Sequence, residues 1–165
     1  MGKIITIMLA GIMAALFNPA IAAEPVELAP EFTLPGQSGQ VVRLSDFKDK
    51  VVYLDFWASW CSPCRQSFPW MNLMQAKYGA QGLQVIAVNL DIKADDAKRF
   101  LLENPAKFLV AMDPKGDTPT AYKIMGMPTS LLIGPGGKII GHHVGFRDED
   151  KNSLESSIKQ ALTYK

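Results

Sequence analysis

Apolar and polar positions follow two rhythms along this chain. Residues 51–57 form a continuous apolar run interrupted only by Asp55, the pattern of a central strand buried on both faces. Residues 83–90 and 108–112 read as further buried strands. Residues 32–34 and 41–44 read as short strands around Gly36-Gln37-Ser38-Gly39, and 130–133 and 138–144 flank Gly134-Pro135-Gly136-Gly137. Each pair is a hairpin signal. Between strands the period lengthens. Cys64, Phe68, Met71 and Tyr78 recur on one face of a helix over 62–78, in which Pro69 predicts a kink. A second helix covers 94–103 and closes before Pro105. Thr118-Pro119 opens a short third helix that Gly126 ends. Asp148 is the expected cap of a last helix, with Glu149 and Asp150 in its first turn and Leu154, Ile158, Ala161 and Leu162 on its buried face. The order ββ, βαβα, βαββα predicts an α/β fold, a central mixed β-sheet flanked by helices.

The first residues depart from both rhythms. Lys3 is followed by an apolar stretch over residues 4–17, then by Asn18-Pro19 and by Ala20-Ile21-Ala22, which resembles a small-residue cleavage site. Residues 1–23 therefore read as a secretory signal, with one domain over 24–165. The stretch is short for a transmembrane span, and membrane anchoring is expected only if it is retained. No cysteine follows it to carry a lipid. Without Lys3, 16 basic and 16 acidic residues balance, which argues against a nucleic-acid partner. Export would place the chain in an oxidising compartment, expected to be the periplasm.

The only two cysteines, Cys61 and Cys64, stand between the apolar run and the first helix. Two thiols at that spacing, at a strand-to-helix junction, can close a small reversible disulfide. Unpaired N–H groups at the helix start favour the Cys61 thiolate. Cys61 is then the attacking thiol and Cys64, one turn on, the resolving one. Pro63 suits the first helical turn. A static bridge would close only a tiny loop and constrain little of the unfolded chain. A structural zinc site wants four ligands, and only His142 and His143 are left. Adjacent strand histidines point to opposite faces, so both read as surface residues. Arg65 could favour the thiolate or simply be a solvated helix residue. Asp55 is the one charge in its run. A buried lone carboxylate needs a reason, unless the side chain escapes to solvent.

Phe56-Trp57-Ala58-Ser59-Trp60-Cys61-Ser62-Pro63-Cys64 is similar to the thioredoxin signature. Ala29-Pro30-Glu31-Phe32-Thr33-Leu34 with Leu44-Ser45-Asp46-Phe47 resembles the N-terminal hairpin of redoxins. Met127-Pro128-Thr129 resembles the cis-proline loop, and Gly136-Gly137-Lys138 with Val144-Gly145 the last hairpin. Over residues 29–162 the chain thus resembles the thioredoxin superfamily, and within it the TlpA/ResA group of exported thiol–disulfide oxidoreductases. The stretch 94–115 resembles that group's strand–helix insert.

The resemblance implies a thioredoxin fold. It implies Cys61 and Cys64 as the catalytic pair, Asp55 as the proton acceptor of Cys64, and Pro128 as the cis-proline. The Met127 backbone would pair with a client strand. Trp60 would lie beside the disulfide and cover it, Pro63 would tune it, Trp57 would be core, and Pro69 would match the kink proline. Two positions differ from the pattern. Thioredoxin's lysine partner of the aspartate is replaced by Ala87, so burial should raise the Asp55 pKa. The glutamate that ResA-like reductases carry three residues after the second cysteine is replaced by Ser67, which argues against a specialisation for apocytochrome c.

The expected function is reduction of disulfides in protein substrates by a monomer with no cofactor and no metal, re-reduced by a membrane thiol electron donor. Antioxidant and redox-homeostasis roles would follow from that activity. Alternatives are a disulfide-donating oxidase or isomerase, a thiol peroxidase and a copper-binding chaperone. The peroxidase pattern of proline and threonine before the cysteine is missing, with Leu54 and Ala58 at those places. The copper carriers' wider cysteine spacing and dedicated histidine are also missing.

Overall fold

The computed structural model describes residues 27–163; the expected signal over 1–23 lies outside them. A two-stranded hairpin comes first, β1 (Thr33–Pro35) against β2 (Val41–Arg43). Then follow β3 (Val51–Trp57), α1 (Ser62–Tyr78), β4 (Leu83–Asn89), α2 (Ala94–Glu103), β5 (Leu109–Met112), α3 (Asp117–Ala121), β6 (Thr129–Ile133), β7 (Ile139–Val144) and α4 (Lys151–Thr163). The five-stranded sheet has the order β5-β4-β3-β6-β7. β3, β4 and β5 run parallel, while β6 and β7 are antiparallel to their neighbours.

Position in the sheet explains composition. β3 is central, and all seven of its residues are buried, so it can be apolar throughout. β7 is an edge strand and alternates half-buried with exposed positions. The sheet edges are blunted. Gly36 bridges to Ala111 and Gln37 N–H donates to Val110 O at 3.1 Å, which covers β5. Ile139 N–H donates to Glu27 O at 2.9 Å, which covers the start of β7.

Two cores flank the sheet. One joins Tyr53, Trp57, Leu83 and Val85 to α1, α2 and α4 through Phe68, Phe100 and Ile158. Trp57 packs on Phe68 and Phe100 at ring-centroid distances of 4.8 and 4.7 Å. The other joins Leu54, Phe56, Ile86, Val88 and Leu131 to the N-terminal hairpin and to Tyr122.

Two helix ends differ from expectation. The third helix stops at Ala121, well before Gly126. Tyr122 leaves helical geometry and Lys123 takes a left-handed φ of 55°, which ends the intrahelical ladder as a C-terminal αL residue does. At the last helix Asp148 is not the cap. Arg147 N–H donates to Asp150 Oδ2 at 2.9 Å, and Asp148 pairs with Lys151 Nζ at 2.6 Å. Asp150, third in the turn, can reach back to that N–H as the acid of a capping box does. The regular helix begins only at Lys151. α1 continues as one helix through Pro69.

Candidate active site

Cys61 and Cys64 form a disulfide, with Sγ–Sγ 2.01 Å, at the start of α1. Cys61 is the N-cap residue in extended conformation, followed by Ser62 and Pro63 as the first helical residues. The site therefore meets the unpaired N–H groups of a 17-residue helix. The two sulfurs are not equivalent. Cys61 retains 5% exposure and Cys64 none, so an external sulfur has access only to Cys61.

The loop from β3 into α1 is held by residues that the sequence reading missed. Ser59 N–H and Oγ donate to the two carboxylate oxygens of Asp91, both at 2.9 Å. Asn89 Nδ2 donates to Asp91 Oδ2 at 2.8 Å, and Asp91 N–H donates back to Asn89 Oδ1 at 3.1 Å. Leu90 N–H donates to Trp57 O and Cys61 N–H to Ala58 O. Asp91 is buried, and these three donors satisfy its carboxyl oxygens. The available signal was positional. Ser59 and Asp91 are the first polar side chains beyond two long apolar runs, which end side by side because Trp57 pairs with Asn89.

Pro128 follows a cis peptide bond from Met127. It immediately precedes Thr129, whose register partner is Phe56, so it lies at the end of the sheet where β3 gives way to the cysteine loop. Thr129 Oγ1 donates to Gly126 O at 2.7 Å and Gly145 N–H to Pro128 O at 2.8 Å, which tie this loop down.

Asp55 is buried at 2% exposure, so its side chain does not escape to solvent. Its register partners are Ala87 on β4 and Ser130 on β6. It shares a sheet face with Tyr53 and Trp57, two residues either side in β3. That face packs on the core containing both cysteines. No cation stands opposite it, since Ala87 occupies that place. Asp55 Oδ2, Trp57 Nε1 and His143 Nε2 are the buried side-chain polar atoms without a hydrogen-bond partner among the described residues. Desolvation pushes the Asp55 carboxyl well above its ordinary value of 3.8.

The remaining candidates separate. Trp57 is fully buried, as expected of core, whereas Trp60 is 72% exposed. Arg65 does not serve the sulfurs alone: Nη1 lies 3.4 Å from Glu103 Oε2, and the guanidinium sits 5.1 Å above the Phe100 ring. Ser67 is buried and donates to Cys64 O at 2.9 Å. His142 is exposed, while His143 is half-buried on the opposite face.

A central strand leading into a helix that starts with a Cys-x-x-Cys disulfide, beside a cis-proline loop, defines a thioredoxin-fold thiol–disulfide oxidoreductase. The chain belongs to the Redoxin family, whose model matches residues 25–162. It is 36% identical over 132 residues to the thiol-disulfide oxidoreductase ResA of Bacillus thuringiensis subsp. konkukian, covering 80% of this chain and 75% of that protein. Among solved structures it is similar to a Chlorobium tepidum protein described as the thiol:disulfide interchange protein DsbE. The TM-score is 0.81 with 60% identity, over 86% of this chain and 99% of that one. It also matches the thioredoxin domain of a Bacteroides vulgatus thiol-disulfide oxidoreductase, with TM-score 0.73 and 28% identity over 83% and 99% of the two chains.

Proposed function

We propose that this chain is an exported, periplasmic reductant of protein disulfides, re-reduced by a membrane thiol donor. The reading for direction rests on one observation, the modest support around the Cys61 sulfur. A strong disulfide oxidant stabilises its reduced form, with an attacking thiolate whose pKa falls to as low as about 3.5. Here the helix start favours the anion, but Arg65 shares its charge with Glu103. Two buried carboxylates, Asp55 and Asp91, lie on the strand that leads into the site and on the residue that anchors its loop. Neither supplies a cation to stabilise the thiolate. The dithiol is thus inclined to give electrons away.

Trp60, Ile92 and Met125 are 72%, 85% and 96% exposed. They stand on the loop after β3, beside Asp91, and ahead of the Pro128 loop. Such apolar contacts suit a protein client better than a small peroxide. Trp60, Pro63 and the Met127 backbone are the proposed client contacts, with Pro128 at the catalytic face. Export rests on the charged and apolar segment over 1–23.

In the forward reaction the Cys61 thiolate attacks a client sulfur, and the client's other sulfur leaves. Cys64 then attacks the Cys61 sulfur of the mixed disulfide and expels the second client thiolate, while its own S–H proton passes to the Asp55 carboxylate. The client gains two electrons and the pair becomes the disulfide. Equilibration of residues 24–165 against glutathione tests the direction. A potential near about −270 mV supports an electron donor, and one of about −120 to −180 mV reverses the assignment.

A further inference from the structure

On the face of the sheet that carries Asp55, polar side chains form a row across three strands. Asp55 on β3 pairs in register with Ser130 on β6, and Ser130 pairs with His143 on β7. Directly paired residues place their Cβ atoms roughly 4.5–5.5 Å apart on one face. Tyr53, two residues before Asp55, donates its hydroxyl to Ser130 Oγ at 2.8 Å within the interior. A cavity of about 180 Å³ borders Tyr53, Ser130, His143, Ser153 and Ser157, and opens the far end of the row toward α4. Its serines and the Tyr53 hydroxyl offer partners for ordered water, beside His142 and the apolar Leu132, Ile140 and Leu154. Two of the buried atoms without a hydrogen-bond partner, Asp55 Oδ2 and His143 Nε2, belong to the two ends of this row. Interior polar groups of this kind are normally satisfied, yet both ends of this row have a side-chain atom without a partner among the described residues.

We propose that Ser130, set by Tyr53 and completed by His143, relays the Asp55 proton across the sheet to solvent, which frees the carboxylate to take the proton of Cys64. The proposal rests on Asp55 being the base for Cys64. The route matters because Cys64 has no exposure, and a client bound at Cys61 covers the other side of the disulfide. A serine hydroxyl has two acceptor sites and one donor. The Tyr53 hydroxyl fills one acceptor site. Asp55, once protonated, donates to the other, and the Ser130 hydroxyl proton leaves through the cavity to the His143 ring. Ser130 ends the transfer with the proton count it began with. Burial, and then the Asp55 charge, drive the Tyr53 pKa up, so Tyr53 stays a donor throughout.

The charged and titratable surroundings favour outward transfer. Asp150 Oδ2 lies 3.4 Å from His143 Nε2, an ionic approach without hydrogen-bond alignment, and places a carboxylate at the outer end of the row. Arg147 pairs with both Asp150 and Glu149, and Lys151 is drawn off by Asp148. α4 gives the cavity only Ser153, Leu154, Ser157 and Ile158, without a charge. β4 offers Ala87. The His143 side chain retains 28% exposure, so it can pass the proton to water. None of the three touches the reacting sulfurs; they are positioning residues for the Asp55 proton.

The test is stopped-flow oxidation of the reduced protein by glutathione disulfide, at concentrations where the rate no longer rises. Tryptophan fluorescence reports closure of Cys61–Cys64, from pH 5 to 9, in H2O and in D2O. Ser130→Ala should slow closure at least about fivefold, a small part of the 10²–10⁴ that acid–base catalysis contributes. It should also change the solvent isotope effect and the pH profile, while Ser130→Thr restores both. His143→Gln, which keeps a polar side chain but offers no ring nitrogen to take the proton, should slow closure and change the isotope effect as Ser130→Ala does. In an Asp55→Asn background Ser130→Ala should add nothing, since residues acting in one chain are not additive. If Asp55→Asn slows closure but Ser130→Ala and His143→Gln leave rate, profile and isotope effect unchanged, the relay is wrong and the base stands. If Asp55→Asn itself closes at the parent rate, the base assignment is wrong and the relay falls with it. Circular dichroism and urea midpoints of each variant separate these results from loss of fold.

Discussion

The two faces of the central sheet are built from the same strands to opposite ends. The face toward the N-terminal hairpin and α3 carries Val52, Leu54, Phe56, Ile86, Val88, Leu131 and Ile133. It has no ionisable side chain from β3 or β4. The face toward α1, α2 and α4 carries Tyr53, Asp55, Trp57, Asn89, Ser130 and His143 in the same strands, with the cysteines above it. One face supplies stability by apolar burial. The other packs an apolar core as well but also buries Asp55 and its polar neighbours, at a cost to stability, and the proposed proton acceptor for Cys64 is among them. Alternation along β3 makes the division possible: even-numbered positions face one core, odd-numbered ones the other, and among the latter Asp55 is the carboxyl.

The sharpest break of this contrast is at the sulfurs. Cys61→Ser should abolish reduction of any disulfide. Cys64→Ser should retain the first attack and accumulate a mixed disulfide visible by mass spectrometry. Equal reactivity of the two single variants toward a client disulfide would contradict the order of exposure, 5% against none.

A matched pair of substitutions compares the faces directly. Phe56→Ala should lower unfolding free energy by about 3–5 kcal/mol, as large buried truncations do, with little change in potential. Asp55→Asn should do the reverse, slowing disulfide closure and stabilising the fold. Its pH dependence follows from the raised pKa. Between the unfolded value near 3.8 and the higher folded one, the folded state holds the extra proton. The unfolded state holds fewer, so stability falls as pH rises through that window. The Asp55→Asn advantage should thus be absent below about pH 4 and grow toward neutrality. Urea melts at pH 4 and pH 7 measure it, and an advantage that shrinks with pH would contradict the assignment.

The smallest expected effect lies at the loop. Ser59→Ala removes one of the donors to Asp91 and should lower stability by about 1 kcal/mol. The potential should shift measurably if Asp91 positions Cys61, and not at all if the loop is held by its backbone bonds alone.

Much of this was legible in the residues. The apolar run gave β3 its bounds because a strand buried on both faces is apolar at both ends, with Asp55 alone inside it. The cysteine pair, the burial of Asp55 and the register of Ala87 against it followed from pattern and resemblance. What was hidden depends on register between strands far apart in sequence. Ser130 reads as an ordinary strand serine until β6 is laid against β3, and Asp91 as a surface residue until β4 ends beside Trp57. The end of α3 was missed because a lysine, not a glycine, takes the left-handed turn. The cap of the last helix was misplaced because three acids in a row offer the same signal, and only geometry shows Arg147 at the cap with Asp150 reaching back to its N–H.

The account turns on a buried carboxyl that holds a proton for Cys64. Carboxyl ¹³C NMR titration of Asp55, in the oxidised and reduced protein, measures this directly. The account predicts that Asp55 stays protonated far above the ordinary value of 3.8 and that its titration moves when the disulfide is reduced. An Asp55 already ionised at about pH 4, with no response to the redox state of Cys61–Cys64, would contradict it.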